Sequence, residues 1–198
     1  MSLPDFYTNP FPCFAINENY DLREHQIEDA AAFLRYYNDA KVSQFNIAAP
    51  IPSSLAEAKE ETSYCRNLFY EHKGIYWALA QRDNDTMIGA IGIHMRTPTN
   101  HGEIHYDLDQ HYWNRGIMTH ALYLVLQFCF TGGSFASMEA RTLKANMASI
   151  KVLEKLGFSH HHTENNYQSY NGQKYDIEVY QATPESFQCC TKQNNYPS

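Results

Sequence analysis

Apolar residues recur at helical spacing in two stretches of the first half of the chain. The first stretch places five of them on one helical face: Ile27, Ala30, Ala31, Leu34 and Tyr37. The second begins at Ser54 and Glu57, which form an S-x-x-E capping box, and its apolar stripe continues to Phe69 before Gly74 ends it. These patterns predict two amphipathic helices.

Strand patterns follow in the middle of the chain. The apolar runs IYWALA and MIGAIGIHM flank a turn-forming DND segment, which predicts a β-hairpin. The next run, EIHYDL, alternates between two faces with three residues on each: Ile104, Tyr106 and Leu108 against Glu103, His105 and Asp107. It predicts a third strand with one core face and one ionisable face.

The segment from Gly116 to Phe130 is apolar on most sides, which is typical of a helix buried in the domain core. The run SMEARTL then predicts a strand. Asn146 is a good N-cap for a further helix, which Gly157 ends. The inward line of that helix is predicted to contain Met147, Ile150 and Leu153.

A hairpin around Asn171-Gly172 closes the predicted fold, because Asn-Gly is the strongest short hairpin signal in the chain. The order of elements predicts a single mixed α/β domain over residues 1–182, built on one central sheet. Residues 183–198 are polar and aperiodic, so we expect them to form a loosely ordered C-terminal tail.

Composition narrows the class of protein. The chain has 198 residues, which suits one domain, and it has no apolar run long enough to cross a bilayer. Its N-terminus lacks the basic and apolar regions of a secretory signal, so we expect a cytoplasmic protein. The net charge of −7 disfavours a nucleic-acid partner and suits a cationic substrate.

Cysteine and histidine patterns do not predict a metal site. The five cysteines form neither an even set nor paired CxxC motifs, so we expect reduced thiols, including the neighbouring Cys189 and Cys190. His160, His161 and His162 lie in a predicted strand, where successive side chains point to opposite faces. The three could converge on a metal ion only through a bulge.

The stretch EIHYDLDQHYWNRGIMTHAL contains the most informative chemistry, because a strand leads there through a short loop into the predicted buried helix. The first turn of a helix has amide groups without internal partners and favours anions such as phosphates. Gly116 would let an anion approach the backbone, and Arg115 would add a charged contact. The alternative is an ordinary tight turn, and neither GxxxxGK[ST] nor GxGxxG occurs.

Two motifs resemble the Gcn5-related N-acetyltransferase (GNAT) superfamily, and specifically its ribosomal-protein-alanine acetyltransferase (RimJ/RimL-like) branch. They are GEIHYDLDQHYWNRGIMTHAL and NMASIKVLEKLGF, within a similarity that covers about residues 20–182. The resemblance implies a mixed, mostly antiparallel twisted sheet flanked by helices, with acetyl-CoA as cosubstrate and no metal. Trp113 and Met118 depart from the superfamily signature Q/R-x-x-G-x-G/A, of which the middle glycine, Gly116, is kept.

The resemblance also implies site residues. The cofactor diphosphate would meet the turn formed by Asn114, Arg115, Gly116, Ile117, Met118 and Thr119, and the pantetheine arm would meet the backbone of Tyr106 to Leu108. Asn146 would face the cofactor, with N-capping as its ordinary role. Glu103 would act as catalytic base, directly or through water, or be a solvated strand residue. Ser149 would reach the thioester, or be an ordinary helix serine.

The function implied by the resemblance is direct transfer of an acetyl group to a primary amine. The branch suggests a protein N-terminal α-amine, and the acidic composition would also suit a polyamine or an aminoglycoside. A non-catalytic acyl-CoA-binding regulatory protein is the rival, because three positions depart from the superfamily pattern: Trp113, Met118 and Leu153. Leu153 stands where many family members have a tyrosine that acts as an acid. We expect no membrane partner, and leave a monomer and a homodimer as alternatives.

Overall fold

The computed structural model describes residues 7, 10–47, 49–96, 100–131 and 135–193. The strands are β1 (Phe14–Ala15), β2 (Tyr20–Glu24), β3 (Gly74–Gln81), β4 (Met87–Arg96), β5 (His101–Leu108), β6 (Ser137–Leu143), β7 (Ser159–Gln168) and β8 (Lys174–Ala182). The helices are α1 (Asp29–Tyr37), α2 (Ala40–Ser43), α3 (Leu55–Tyr70), α4 (Ile117–Thr131), α5 (Met147–Lys155) and α6 (Pro184–Gln193), with a 3-10 turn at Gln110–Tyr112.

The eight strands form one sheet in the order β1-β2-β3-β4-β5-β6-β8-β7. Strands β5 and β6 pair in parallel through the crossover helix α4, and the other neighbours pair antiparallel. The predicted mixed, mostly antiparallel sheet is therefore confirmed. The parallel pairing runs from His101 opposite Ser137 to Glu103 opposite Glu139, although β5 continues to Leu108. The two strands diverge beyond Glu103.

Helices cover both faces of this sheet. Helix α4 lies in the main core, where Phe128 packs edge-on against the fully buried Trp77 of β3. Helices α1 and α3 pack on β4 and β3, and Tyr36 of α1 belongs to a second cluster with Ala78 and Ala90. Each fully buried large aliphatic side chain contributes roughly 1.5–3 kcal/mol of transfer free energy, so this two-sided burial holds β3 to β5 rigidly.

The predicted helices and hairpins are present, but two helix faces differ from the predicted ones. In α1 the buried residues include Ala30, Ala32 and Tyr36, whereas Ile27 precedes the helix and Ala31 is exposed. In α5 the inward line contains Ile150 and Leu153, as predicted, while Met147 is 53% exposed. Periodicity locates a helix well, but the sheet it packs against determines its exact rotation.

The structure also differs from the prediction after Thr183, where the tail was expected to be loosely ordered. Residues 184–193 form α6, and Phe187 is 5% exposed, with its ring 5.6 Å from the rings of Tyr123 and Phe130. Thr183 and Ser186 cap the helix start reciprocally through bonds of 3.0 and 3.3 Å. The sequence TPES contains this signal, because a capping residue precedes a proline at the first helical position.

None of the helices among the described residues is long and apolar enough to cross a bilayer.

We predict that Phe187→Ala lowers the free energy of unfolding by about 3 kcal/mol, because it empties a buried aromatic site beside α4. Urea unfolding monitored by circular dichroism measures the change. Tyr170→Ala is the matched control, since this aromatic residue is 45% exposed and its truncation should change stability by less than ~0.5 kcal/mol. Equal stabilities of the two variants would show that α6 adds nothing to the core.

Candidate active site

The divergence of β5 from β6 opens a cleft of about 810 Å³ in the described part of the chain. This volume falls in the range of small-molecule sites. The end of β5, the loop before α4, the end of β6 and the start of α5 form its walls. The cleft is lined by all the catalytic and cofactor-binding residues that the family resemblance implies: Glu103, Tyr106, Leu108, Asn114, Arg115, Gly116, Ile117, Met118, Thr119, Asn146 and Ser149.

One end of the cleft is the N-terminus of α4. Asn114 and Gly116 both have positive φ, at +60° and +72°, so the loop turns sharply before the helix begins. A Cβ atom built on Gly116 would meet nothing within 4 Å, so the space in front of the first-turn amides is open. Open space next to amides without helical acceptors fits a phosphate or diphosphate group.

The two departures from the family signature have structural roles. The indole N–H of Trp113 donates a 2.8 Å hydrogen bond to the carbonyl of Leu108, which ties the loop to the end of β5. The same carbonyl was expected to face pantetheine, and it retains its second lone pair. Met118 is 7% exposed and packs in the main core. Trp113 thus holds the loop that carries Gly116, and Met118 anchors the first turn of α4 in the core.

Cationic side chains also line the cleft, despite the net negative charge of the chain. Lys151 and Lys155 lie one turn apart on α5, and Arg115 lies in the loop before α4. The guanidinium of Arg115 rests 5.4 Å from the centroid of the Tyr112 ring. The two lysines were not predicted from the sequence, although their i,i+4 spacing after Asn146 places them on one helical face. Three cations favour an anionic ligand here.

A pair of hydroxyl groups crosses the cleft. The Tyr106 hydroxyl of β5 lies 2.6 Å from Ser149 Oγ of α5, and it also donates to the Ser149 carbonyl at 3.3 Å. The Ser149 amide donates to Asn146 Oδ1 at 3.2 Å, so Asn146 is an N-cap. Burial raises the pKa of Tyr106 well above its usual value, and the bond to Ser149 offsets part of that rise. The Tyr106 hydroxyl therefore remains protonated at neutral pH.

The family resemblance pointed to the backbone of Tyr106 and not to its hydroxyl. Alternation placed this residue on the core face, where a buried tyrosine hydroxyl needs a partner. Its partner lies 43 residues away, so the sequence alone did not identify it. The position that carries a tyrosine in many family members is occupied by the fully buried Leu153.

Glu103 lies where the parallel pairing ends, and two arginines hold its carboxylate. Arg96 Nη2 lies 2.6 Å from Oε2, and Arg141 Nε lies 3.4 Å from Oε1. Burial raises the pKa of Glu103, but Arg96, His105 and Arg141 together bring it below its usual value. Burial lowers the pKa of His105 to about 4, so this imidazole is neutral at pH 7 and the arginines dominate. Glu103 is therefore an ionised, weakly basic carboxylate.

A second carboxylate lies on the same strand, nearer the α4 end. Asp107 accepts a 2.7 Å hydrogen bond from the hydroxyl of Tyr36 in α1, and both Asp107 and Tyr37 line the cleft. Burial raises the pKa of Asp107 to about 6, although the Tyr36 hydroxyl and the Ala90 amide lower it. The sequence pattern predicts Asp107 on the ionisable face of β5 but indicates no role for it.

Neighbouring histidines complete this polar face. His94 Nε2 lies 2.8 Å from the Tyr76 hydroxyl, and the His94 and His105 ring centroids are 5.2 Å apart. Burial lowers the pKa of His94 below its usual value, although the charge of Glu103 raises it. The imidazoles of His94 and His105 are thus neutral at pH 7.

The histidine run on β7 contains the register shift that convergence would require, between His160 and His162. His160 Nε2 nevertheless bonds Glu178 at 2.6 Å. Among the residues described, no three histidine, cysteine or carboxylate side chains are grouped so as to hold a metal ion.

The fold matches those of known acetyltransferases. The ribosomal-protein-S5-alanine acetyltransferase of Vibrio fischeri aligns with a TM-score of 0.74 at 21% identity, over 89% of this chain and 98% of that chain. RimJ of Mycobacterium smegmatis, solved in complex with CoA-disulfide, aligns with a TM-score of 0.76 at 19% identity, over 89% of each chain. At these identities the likeness shows the fold.

Sequence comparison shows the family. An uncharacterized N-acetyltransferase, p20, of Bacillus licheniformis is 25% identical over 164 residues, which cover 82% of this chain and 92% of that protein. The uncharacterized N-acetyltransferase YoaA of Bacillus subtilis (strain 168) is 26% identical over 160 residues, which cover 80% and 90%. The acetyltransferase (GNAT) domain family model matches residues 20–159. The chain therefore belongs to the GNAT family and is an N-acetyltransferase, one of the enzymes that use acetyl-CoA.

Proposed function

We propose that this enzyme transfers the acetyl group of acetyl-CoA directly to a primary amine, and that the acceptor is the N-terminal α-amine of a protein. The observation that carries the proposal is the single cleft that joins the open turn at Gly116 to the unpaired ends of β5 and β6. The protein-N-terminus acceptor is supported by the fold likeness to the ribosomal-protein-alanine enzyme of Vibrio fischeri.

Acetyl-CoA would supply a thioester-activated acetyl group. The first-turn amides of α4, from Ile117 to Thr119, would receive its diphosphate, with Arg115 and the lysines of α5 adding charge. The β5 backbone from Tyr106 to Leu108 would bind the pantetheine arm as an added strand does, because β6 has diverged there. These contacts hold and orient the donor, which lowers the entropic part of the barrier.

The hydroxyl pair of Tyr106 and Ser149 is positioned to deliver a proton. The two oxygens lie 2.6 Å apart and border the gap between β5 and β6. We assign Ser149 as the donor to the leaving sulfur and Tyr106 as the group that orients it. Asn146 fixes the start of the helix that carries Ser149.

Glu103 has the role of an electrostatic and water-ordering group in this proposal. Its carboxylate stays ionised because Arg96 and Arg141 hold it, and the same ion pairs lower its affinity for a proton. It can therefore relay a proton through water, but it is poorly suited to take one directly from an ammonium group.

The acceptor class is tested by measuring thiol release from acetyl-CoA with four amines: short peptides with N-terminal serine or alanine, spermidine and kanamycin. We expect the peptides to give the highest kcat/KM. Faster turnover of spermidine or kanamycin would show that the acceptor is a polyamine or an aminoglycoside and not a protein N-terminus. Binding of acetyl-CoA without thiol release on any amine would favour an acyl-CoA-binding regulatory protein.

Acetyl-CoA at about 100 times its Kd should stabilise the protein by about 2.7 kcal/mol, or roughly 5–10 °C in melting temperature. Gly116→Val should abolish this shift in differential scanning fluorimetry, because the side chain would fill the space before the amides. Gly172→Val is the matched control, since Gly172 also has positive φ and open space but lies in the β7–β8 turn. A normal shift in Gly116→Val would exclude this diphosphate site.

Ser149→Ala should lower kcat by roughly 100-fold or more with the best peptide, while the thermal shift with acetyl-CoA is retained. Tyr106→Phe should give a similar loss, and the double variant should lose little more, because the two hydroxyls act as one unit. Steady-state kinetics measures all three variants. Fully additive losses would contradict the paired role.

Glu103→Gln should lower kcat by less than ~100-fold and leave the acetyl-CoA thermal shift unchanged, because the side chain keeps its shape and loses its charge. The measurement is steady-state kinetics across pH with the best peptide. A loss of ~1,000-fold or more, with rescue at high pH, would instead make Glu103 the direct base.

A further inference from the structure

Consecutive residues of β5 reach the cleft from opposite faces of the sheet. Tyr106 meets Ser149 of α5 on one face, and Asp107 meets Tyr36 of α1 on the other. Because β6 pairs with β5 up to Glu103, both side chains border the gap left beyond that point. The α1 face is thus the side from which an acceptor can approach a donor held by the α4 and α5 side.

Ionisable groups from several elements surround Asp107. Helix α1 contributes Tyr36 and Tyr37, helix α3 contributes Glu61 and Cys65, and strand β3 contributes Tyr76. On β5 itself, the next residue on the same face of the strand is His105. Burial raises the pKa values of the tyrosines and of Cys65, so these groups are neutral near pH 7. Among the described residues, the charged side chain that shifts the pKa of Asp107 is Glu61, which raises it. No described lysine or arginine shifts this pKa.

The two carboxylates of β5 therefore differ in what they can bind. Glu103 has two arginines within 3.4 Å or less, whereas Asp107 has a hydroxyl donor from Tyr36. An incoming ammonium group would compete with guanidinium groups at Glu103. At Asp107 the ammonium group would itself provide the positive charge that stabilises the ionised carboxylate.

We propose that Asp107 receives the ammonium group of the acceptor and takes its proton directly, with Tyr36 positioning the carboxylate. This inference rests on the proposed function. In the step, an N–H bond of the ammonium breaks and an O–H bond forms on the Asp107 carboxylate, while the electron pair stays on nitrogen for attack on the acetyl carbon. Attack forms the C–N bond and breaks the C–S bond, and the second proton that nitrogen loses replaces the one that Ser149 gives to the leaving thiolate. Asp107 releases its own proton to solvent.

This assignment also bears on the acceptor class. Asp107, with a pKa of about 6, is a weaker base than an α-amine, whose pKa is ordinarily near 8. The equilibrium for proton transfer from the α-ammonium group to Asp107 is therefore unfavourable by roughly 100-fold. For an alkyl amine such as a lysine or a polyamine, with a pKa near 10.4, this equilibrium is unfavourable by more than ~10,000-fold. On this proton-transfer equilibrium alone, a peptide N-terminus is easier to deprotonate at the site than a polyamine.

The test uses the full chain and a short peptide with N-terminal alanine. Asp107→Asn should lower kcat/KM at pH 7 by at least ~100-fold and weaken binding of that peptide, measured calorimetrically with CoA present, by ~10-fold or more. Wild type should lose activity as pH falls through about 6, the value at which Asp107 becomes protonated. This loss is the acidic limb of the pH–activity profile. Asp107→Asn should lack the acidic limb, and Glu103→Gln should retain it.

Tyr36→Phe provides a second variant that leaves the carboxylate in place. Because the Tyr36 hydrogen bond lowers the pKa of Asp107, its removal should move the acidic limb to higher pH. A purely structural role would not move that limb. Glu60→Gln, which removes an exposed carboxylate of α3, is the charge control and should behave as wild type.

Wild-type kinetics and peptide binding in Asp107→Asn would overturn the inference and leave the proposed function standing. An unmoved limb in Tyr36→Phe, or loss of the limb in Glu103→Gln alone, would also overturn it. The acetyl-CoA thermal shift verifies that each variant is folded. A wild-type protein that acetylates none of the amines would instead overturn the proposed function, and this inference with it.

Discussion

The constraint on which the site depends is the short parallel pairing of β5 with β6. Hydrogen-bonded partners extend to Glu103 and Glu139, after which backbone groups of both strands face the cleft. Unpaired backbone groups must be satisfied by water or by a ligand. A sheet that continued to pair would have no cleft, so the divergence is what turns a structural strand into a binding surface.

Several features hold the divergence in place. At the paired end, Gly102 permits close approach, because a Cβ there would lie 2.4 Å from the Met138 sulfur. Arg96 bridges Glu103 and Glu139 on the two strands, with contacts of 2.6 and 3.6 Å. At the open end, Trp113 fastens the loop before α4 to β5. The gap is thus bounded by a tight junction at one end and a helix N-terminus at the other.

Charge is distributed along this gap in a way that suits two different ligands. Arg115, Lys151 and Lys155 line the cleft that the amides of α4 open into, and this set favours phosphate groups. Asp107, with its tyrosine neighbours on the α1 side, favours a cation. Separating the two environments across one strand lets an anionic donor and a cationic acceptor approach the same place without competing for one set of partners.

Hydrophobic periodicity and turn residues were sufficient to predict α1, α3, α4, α5 and the two hairpins, because burial repeats with the period of each element. The mostly antiparallel sheet was implied by the family resemblance, whereas α2, α6, β1 and β2 were not predicted. The turn at Gly116 was also accessible, since a strand, a loop and a helix start are adjacent in sequence. The Tyr36–Asp107 and Tyr106–Ser149 contacts were not, because they join residues 71 and 43 positions apart and depend on tertiary packing. The rotation of α1 and the docking of Phe187 escaped prediction for the same reason.

The diverging strands and the start of α4 together form one ligand site. Amide hydrogen exchange with and without CoA tests it most directly, because it reports on each backbone segment separately. We expect CoA to slow exchange in residues 104–108 and 117–119 together, and to leave the β7–β8 turn around Gly172 unchanged. Protection confined to other segments, or protection at only one of these two segments, would show that the diverging strands and the start of α4 do not form one CoA site.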